Sequence, residues 1–397
     1  IKIMNLIKKV IYSYKNKVLL KKVQKKIYPY FKGLFLYFVP KKNEENIKVF
    51  VSKKIQPDKN DLILAERIFT SFKKMKKDQL SCDKDFQPST LWTNHLENDY
   101  RILGESLKND DCEKFLFFLS NFGNWEHFLG IENQILIKKY NNNFLLKNFL
   151  INVIFAELLK TWKYFGNNKS DIHKLKQPRF GNQIGATIDG NFVTIGSFFS
   201  CIYSDILNNF IVKKDRPIVA DLGGGYGKLG YYLLKNQKKF CFIDFDLPEV
   251  LTLASFYLMK TWPDKKTLLY GEKDFKNDDI YNYDLIFLPS FEIEKLKNNT
   301  IDLFVNKNSL GEMMPNTSKK LIDNICRSTK TFFHINHETF RNFFENNTKS
   351  LLNKEYPIHK DFQLLFRYPD LNHLIYENGK LDYDSDIFVY CYQKKSD

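Results

Sequence analysis

The sequence predicts an α/β fold, a doubly wound and mostly parallel sheet with an N-terminal helical extension. Three observations predict it. Val219-Ala-Asp-Leu-Gly-Gly-Gly-Tyr-Gly-Lys-Leu-Gly230 reads as a strand, a tight glycine loop and a helix start. From residue 217 onward, strand-like and helix-like segments alternate. Residues 58–165 lack that alternation and carry apolar residues at helical spacing.

The elements follow in chain order. Residues 1–54 hold 15 Lys, no Arg and two acids, a net charge of +13. The remainder, with 46 basic and 44 acidic residues, is nearly neutral. Such a distribution argues against a nucleic-acid-binding body, which spreads basic residues over its working face. In the basic segment Ile3, Ile7, Val10, Tyr14 and Val18 recur at helical spacing, and Leu34-Phe-Leu-Tyr-Phe-Val39 follows Pro29. This reads either as a basic amphipathic helix for an anionic membrane surface or as a packed helix with a solvated lysine face. Residues 55–178 read as a helical cap, with a loop or broken helix over 121–130 and a long apolar helix over 143–165. Gln177–Gly185 is turn-rich, Asp189-Gly190 suits a hairpin, and 197–210 suits a helix. Residues 179–397 then supply the sheet. Its candidate strands lie at 217–220, 240–246, 266–270, 283–288, 301–305, 330–336, 362–366 and 387–393, the last two as an antiparallel hairpin.

Three ligand classes use a strand, a glycine loop and a helix. A P-loop fails, because Leu222 stands where its first glycine belongs and Leu229 where its hydroxyl belongs. A dinucleotide site matches Gly225-Tyr-Gly227-Lys-Leu-Gly230, but Asp221 at the strand tip would repel a pyrophosphate. S-adenosylmethionine carries an ammonium and a sulfonium and no phosphate, so the same acid suits it. The spacing Asp221-x-Gly223-x-Gly225-x-Gly227 is the acid-x-Gly-x-Gly-x-Gly pattern of class I methyltransferases. The second strand ends at Asp246, placed to accept from both ribose hydroxyls or to cap the helix that follows Leu247. Asp244 shares its face.

These segments, with Asp246-Leu-Pro-Glu-Val-Leu-Thr-Leu-Ala-Ser-Phe-Tyr-Leu258 and Asn306-Lys-Asn-Ser-Leu-Gly-Glu-Met313, resemble the bacterial sugar O-methyltransferases of surface-polysaccharide pathways. One departure is Gly311, where the family pattern has Gln before the Glu. The resemblance implies a Rossmann-like class I methyltransferase core, S-adenosyl-L-methionine as cofactor and a sugar or glycan-precursor hydroxyl as acceptor. It implies cofactor contacts from Asp221, Gly223, Gly225, Gly227, Asp246 and Leu247. Arg179 is a candidate for the methionine carboxylate or a surface arginine that orders its loop.

Methyl transfer to a hydroxyl benefits from a general base. Glu312, on the loop after the 301–305 strand, is the first candidate, or else an ordinary first-turn acid. His337 is the second, with a structural role equally open, whereas His334 lies in an apolar run and reads as core. No cluster has metal-ligand spacing. Six scattered cysteines read as free thiols in a reducing compartment, and no apolar run is long enough to span a bilayer. The expected location is cytoplasmic, peripheral to the inner membrane face if the basic segment binds it. Two other readings stay open: an NAD-dependent oxidoreductase and a non-catalytic membrane-surface scaffold that keeps the fold.

Overall fold

The computed structural model describes residues 46–50, 53–125, 130–131, 147–166, 171–211, 215–236, 239–371 and 386–395. The helical pattern at 3–18 and the aromatic cluster at 34–39 lie outside them. In chain order the elements are β1 (Ile47–Phe50), α1 (Leu62–Gln79), α2 (Thr90–Asn98), α3 (Arg101–Asn109), α4 (Cys112–Leu119), α5 (Lys147–Phe165), β2 (Gly185–Ile188), β3 (Asn191–Val193) and α6 (Ile195–Asn208). Then follow β4 (Ile218–Leu222), α7 (Lys228–Asn236), β5 (Cys241–Asp246), α8 (Pro248–Thr261), β6 (Thr267–Leu269), β7 (Leu285–Pro289), β8 (Leu303–Lys307), α9 (Pro315–Ser328), β9 (Thr331–His337), β10 (Phe362–Pro369) and β11 (Ile387–Lys394).

Eight strands form one sheet in the order β10-β11-β9-β8-β4-β5-β7-β6. The six strands from β9 to β6 run parallel, and β11 is antiparallel to both β9 and β10. A parallel run that reverses direction outward from β4, closed by an antiparallel hairpin, is the Rossmann-like class I methyltransferase topology. Each strand candidate from 217 onward is a strand in this sheet.

Strand side chains alternate between faces. Val219 and Phe242 enter a core shared with α6, α7 and α8, while Ala220, Leu222, Ile243 and Phe245 enter a second core under α9. Both faces are covered, which is why β4 and β5 read as continuous apolar runs until their acids. The first core also takes in Phe72 of α1, Phe115 of α4 and Phe155 of α5, so the cap helices and the sheet bury one continuous apolar volume. The Lys260–Asp61 and Lys76–Glu249 ion pairs, each a half-buried lysine on a buried acid, tie α8 to the cap.

The basic segment ends in an element that its sequence does not announce. β1 pairs antiparallel with β2, and β2 with β3, as a small three-stranded sheet. The β2–β3 turn uses Asp189 and Gly190 at positive φ, as expected for a two-residue hairpin.

Candidate active site

The site lies at the carboxyl edge of the large sheet. Asp221 is the last residue but one of β4, Asp244 and Asp246 lie in the last three residues of β5, Lys307 ends β8 and His337 ends β9. Period-two alternation puts all five on the face that carries α6, α7 and α8. Between β4 and α7 the chain turns through Gly223, Gly225 and Gly227, each at positive φ. Two of these positions also lack room for a side chain. A Cβ on Gly223 would lie 2.4 Å from Ser309 Oγ, and one on Gly225 would lie 2.6 Å from the Gly130 carbonyl oxygen. The loop therefore presents bare backbone to whatever occupies the cavity above it.

Three carboxyls crowd under this loop. Asp221, Asp244 and Asp246 are all buried. Burial pushes Asp221 up to about 7, against the pull of the Lys307 ammonium. Asp244 and Asp246 are raised by burial and by the acids around them. Asp246 Oδ1 accepts from the Leu247 amide at 2.7 Å and Oδ2 from the Gly225 amide at 3.2 Å. The second-strand acid thus braces the glycine loop against the start of α8 while it lines the cavity beside Leu247.

Glu312 sits on the loop after β8. That loop is latched from below by a buried amide network. Asn306 Nδ2 donates to the Leu222 carbonyl at 2.8 Å, and Asn336 Nδ2 donates to Asn306 Oδ1 at 2.8 Å. From the cap, Ser89 Oγ donates to the Glu312 carbonyl at 2.8 Å and Trp92 Nε1 to Glu312 Oε2 at 3.0 Å. Burial pushes the Glu312 carboxyl up to about 7, and the Trp92 donor opposes the shift. A carboxyl poised there exchanges a proton readily near neutral pH.

The same cavity holds residues that the sequence reading passed over. Lys228, first residue of α7, is buried, and its ammonium donates to Thr194 Oγ1. Burial, with the neighbouring Lys307, lowers its pKa well below the usual lysine value. Asp370, just past β10, accepts the Tyr203 hydroxyl on Oδ1, while its buried Oδ2 has no hydrogen-bond partner among the described residues. Gln183, in the turn-rich segment, accepts from the Tyr226 hydroxyl at 2.9 Å and so fixes the glycine loop from outside.

Asp221, Gly223, Gly225, Asp246, Leu247 and Glu312 line one cavity of about 630 Å³, together with Trp92, Lys228, Lys307 and Asp370. That volume suits a cofactor-sized ligand with space beside it. Gly227 does not line it and instead packs at α8, where a Cβ would lie 2.9 Å from Leu258 Cδ1. Two expected residues stand apart. Arg179 Nε donates to the Gln183 carbonyl at 3.2 Å and its guanidinium lies over the Phe192 ring, away from the cavity lining. His337 is also outside the lining. Its Nδ1 bonds to Asp386, whose carboxylate also accepts from the Thr339 and Phe340 amides and is held down at about 2. His334 is buried core, stacked on Tyr390 at 5.1 Å, and burial lowers it to about 3.

No known protein family matches the chain, and no curated protein matches it in sequence. Solved structures are similar to it in fold. A S-adenosylmethionine-dependent methyltransferase from Clostridium acetobutylicum is similar at a TM-score of 0.32 and 12% identity, over 61% of this chain and 99% of that one. A phosphoethanolamine N-methyltransferase from Haemonchus contortus, solved with S-adenosylhomocysteine, is similar at 0.33 and 13%, over 48% of this chain and 52% of that one. The cyclase SpnF is similar at 0.33 and 10%, over 49% and 80%.

Proposed function

We propose that this chain is an S-adenosylmethionine-dependent O-methyltransferase that acts on a sugar hydroxyl, in a surface-polysaccharide or other glycan precursor. The observation that carries the cofactor is the buried acid set, Asp221 with Asp246, around a glycine loop that exposes bare backbone. A cation with a ribose diol fits this set, whereas a pyrophosphate against it would meet like charge.

The residues divide the work as follows. Gly223 and Gly225 would give the cofactor backbone contact, Asp246 would accept its ribose hydroxyls and Leu247 would pack on its base. When bound, S-adenosylmethionine supplies an electrophilic methyl group. Glu312 takes the proton of the acceptor hydroxyl, with Trp92 holding Oε2 in place. An aromatic ring beside a carboxyl also suits a sugar, whose C–H face lies on the ring and whose hydroxyls donate to the acid. His337, oriented by Asp386, is the alternative base if the acceptor reaches past Ile387. Cap residues Ser89 and Trp92 line the cavity and would shield the reacting oxygen on that side.

Calorimetric titration with S-adenosylhomocysteine is the direct test. Saturable binding to the folded chain is expected. Its absence, with NAD raising Tm instead, would replace this reading with an oxidoreductase. Transfer of labelled methyl to a pool of nucleotide sugars tests the acceptor. Cofactor binding without transfer to any glycan pool would leave a scaffold that keeps the fold. The lysine-rich residues 1–54 would hold the enzyme at an anionic membrane beside lipid-linked precursors. Equal partitioning of full-length and truncated chains onto anionic vesicles would refute that placement.

A further inference from the structure

The carboxyl edge of the large sheet carries a second polar cluster, away from the glycine loop. Asp370 follows β10, and its amide donates to the Ile387 carbonyl on β11 at 2.9 Å. Ile387 faces His337 of β9, and β8 stands between β9 and β4. The Tyr203 hydroxyl, from α6, donates to Asp370 Oδ1 and accepts from the Leu371 amide at 3.2 Å, so the acid is fixed. Asp370 is 1% exposed, and its buried Oδ2 has no hydrogen-bond partner among the described residues. The same tyrosine holds Lys307. The ammonium lies over its ring, 5.8 Å from the centroid, and no carboxylate among the described residues lies within ion-pair distance of it.

One tyrosine thus brings an acid and an amine to the cavity, and the two do not bond to each other. A hydroxyl completes both, since it donates to Asp370 Oδ2 and accepts from Lys307 Nζ. An anion would serve the amine and meet like charge at the acid, and a cation would do the reverse. Asn308, next along the chain, lines the cavity with a further buried acceptor, an Oδ1 without a donor among the described residues. A ligand that satisfies all three is therefore neutral and carries adjacent hydroxyls.

We propose that Asp370, Lys307 and Asn308 form a diol subsite, and that it orients the acceptor as a neutral sugar with two free hydroxyls beside the reacting one. The subsite lies on the β8–β11 side of the sheet, whereas the proposed cofactor contacts lie over β4 and β5. Glu312 follows Lys307 and Asn308 on the same loop, which places the proposed base next to a sugar held here. The subsite stands on its own geometry. Its assignment to the acceptor rests on the methyltransferase reading.

The test is saturation-transfer NMR on the full chain, free and saturated with S-adenosylhomocysteine. D-glucose, D-galactose and D-mannose serve as neutral probes, D-glucuronate and D-glucosamine as charged ones. Saturable binding of at least one neutral hexose in both states is expected, weakened about fivefold or more by Lys307→Met and by Asn308→Gly. Lys307 is partly exposed and Asn308 has a positive φ that glycine adopts freely, so both variants should fold, and near-ultraviolet circular dichroism checks them. Asp370→Asn, which keeps an acceptor for Tyr203, should weaken binding by a similar factor. Displacement of the hexose by S-adenosylhomocysteine would assign these residues to the cofactor's ribose and overturn the acceptor subsite. Binding of glucuronate or glucosamine but of no neutral hexose would overturn the neutral class. Lysine-dependent hexose binding in a chain that never binds S-adenosylhomocysteine would keep the subsite and remove the methyltransferase reading. No saturable hexose binding, or equal binding by wild type and both folded variants, would overturn the subsite itself.

Discussion

At one end of the cavity two carboxyls, Asp246 and Glu312, lie within electrostatic reach of each other. At the other, two amines, Lys228 and Lys307, do the same. Burial acts in opposite directions on the acids and on Lys228, the acids up and Lys228 down, so it works against charge on each of these three groups in the free chain. A ligand that donates hydrogen bonds to the acids favours their ionised forms. The largest consequences fall on the acid end, where the proposed cofactor contacts gather.

The sharpest break is Asp246→Ala. It removes the proposed acceptor for a ribose diol and unties the Gly225 and Leu247 amides. Two charge-assisted hydrogen bonds at about 1.5–3 kcal/mol each predict a loss of S-adenosylhomocysteine affinity on the order of a hundredfold or more, read by calorimetry. Lys307→Ala should leave that affinity within about threefold if the two ends act separately. Equal losses in both variants would show that one ligand group spans them.

Glu312→Ala separates binding from turnover at the acid end. Affinity for S-adenosylhomocysteine should change little, whereas kcat on the accepted glycan should fall by about 10²–10⁴ for loss of a general base. Glu312→Gln keeps an acceptor for Trp92 Nε1 and should fall equally, since the proton and not the contact is at stake. Retained kcat in both would move the base to His337.

The pH dependence sharpens the comparison further. The acids are raised above their unfolded values, Asp221 and Glu312 to about 7 and Asp246 in the same direction. The folded free chain therefore holds protons that the unfolded chain has lost. Their contribution to stability is full below about pH 4 and is lost as pH rises through about 7. A bound ligand that favours the ionised acids offsets this loss. The Tm increment given by S-adenosylhomocysteine should thus be larger at pH 8 than at pH 6, with protons released on binding. An increment independent of pH would mean that binding leaves the protonation of the acids unchanged, and a smaller increment at pH 8 would mean that they stay neutral in the complex.

How much of this the sequence shows differs between the two ends. Asp221, the glycines and Asp246 announce themselves because a strand, a loop and a helix are local and their spacing carries the chemistry. Lys228 stands within the same motif, yet a lysine at a helix start reads as solvated, and only the packing of α6 against α7 buries it. Asp370 was hidden for another reason. The strand before it was legible, but not that β10 lies beyond an antiparallel β11 and so returns its carboxyl end to the cavity. Trp92 meets Glu312 across 220 residues of chain, a contact that no local pattern encodes. Arg179, open in sequence to either a cofactor carboxylate or its own loop, is turned by Gln183 and Phe192 onto its own turn.

The smallest effect comes from that hidden contact. Trp92→Phe keeps an aromatic wall but removes the indole N–H that favours ionised Glu312. The carboxyl should then titrate above about 7, so a smaller fraction is ready as base at neutral pH. A loss of one neutral-to-charged hydrogen bond, attenuated by the open cavity, predicts a shift of about half a pH unit and a roughly twofold to threefold lower kcat at pH 7. Activity should recover to the wild-type plateau at higher pH, because the variant changes when Glu312 ionises and not what it does. A uniformly lower profile would instead make Trp92 a direct platform for the sugar, with its edge toward Glu312 a secondary matter.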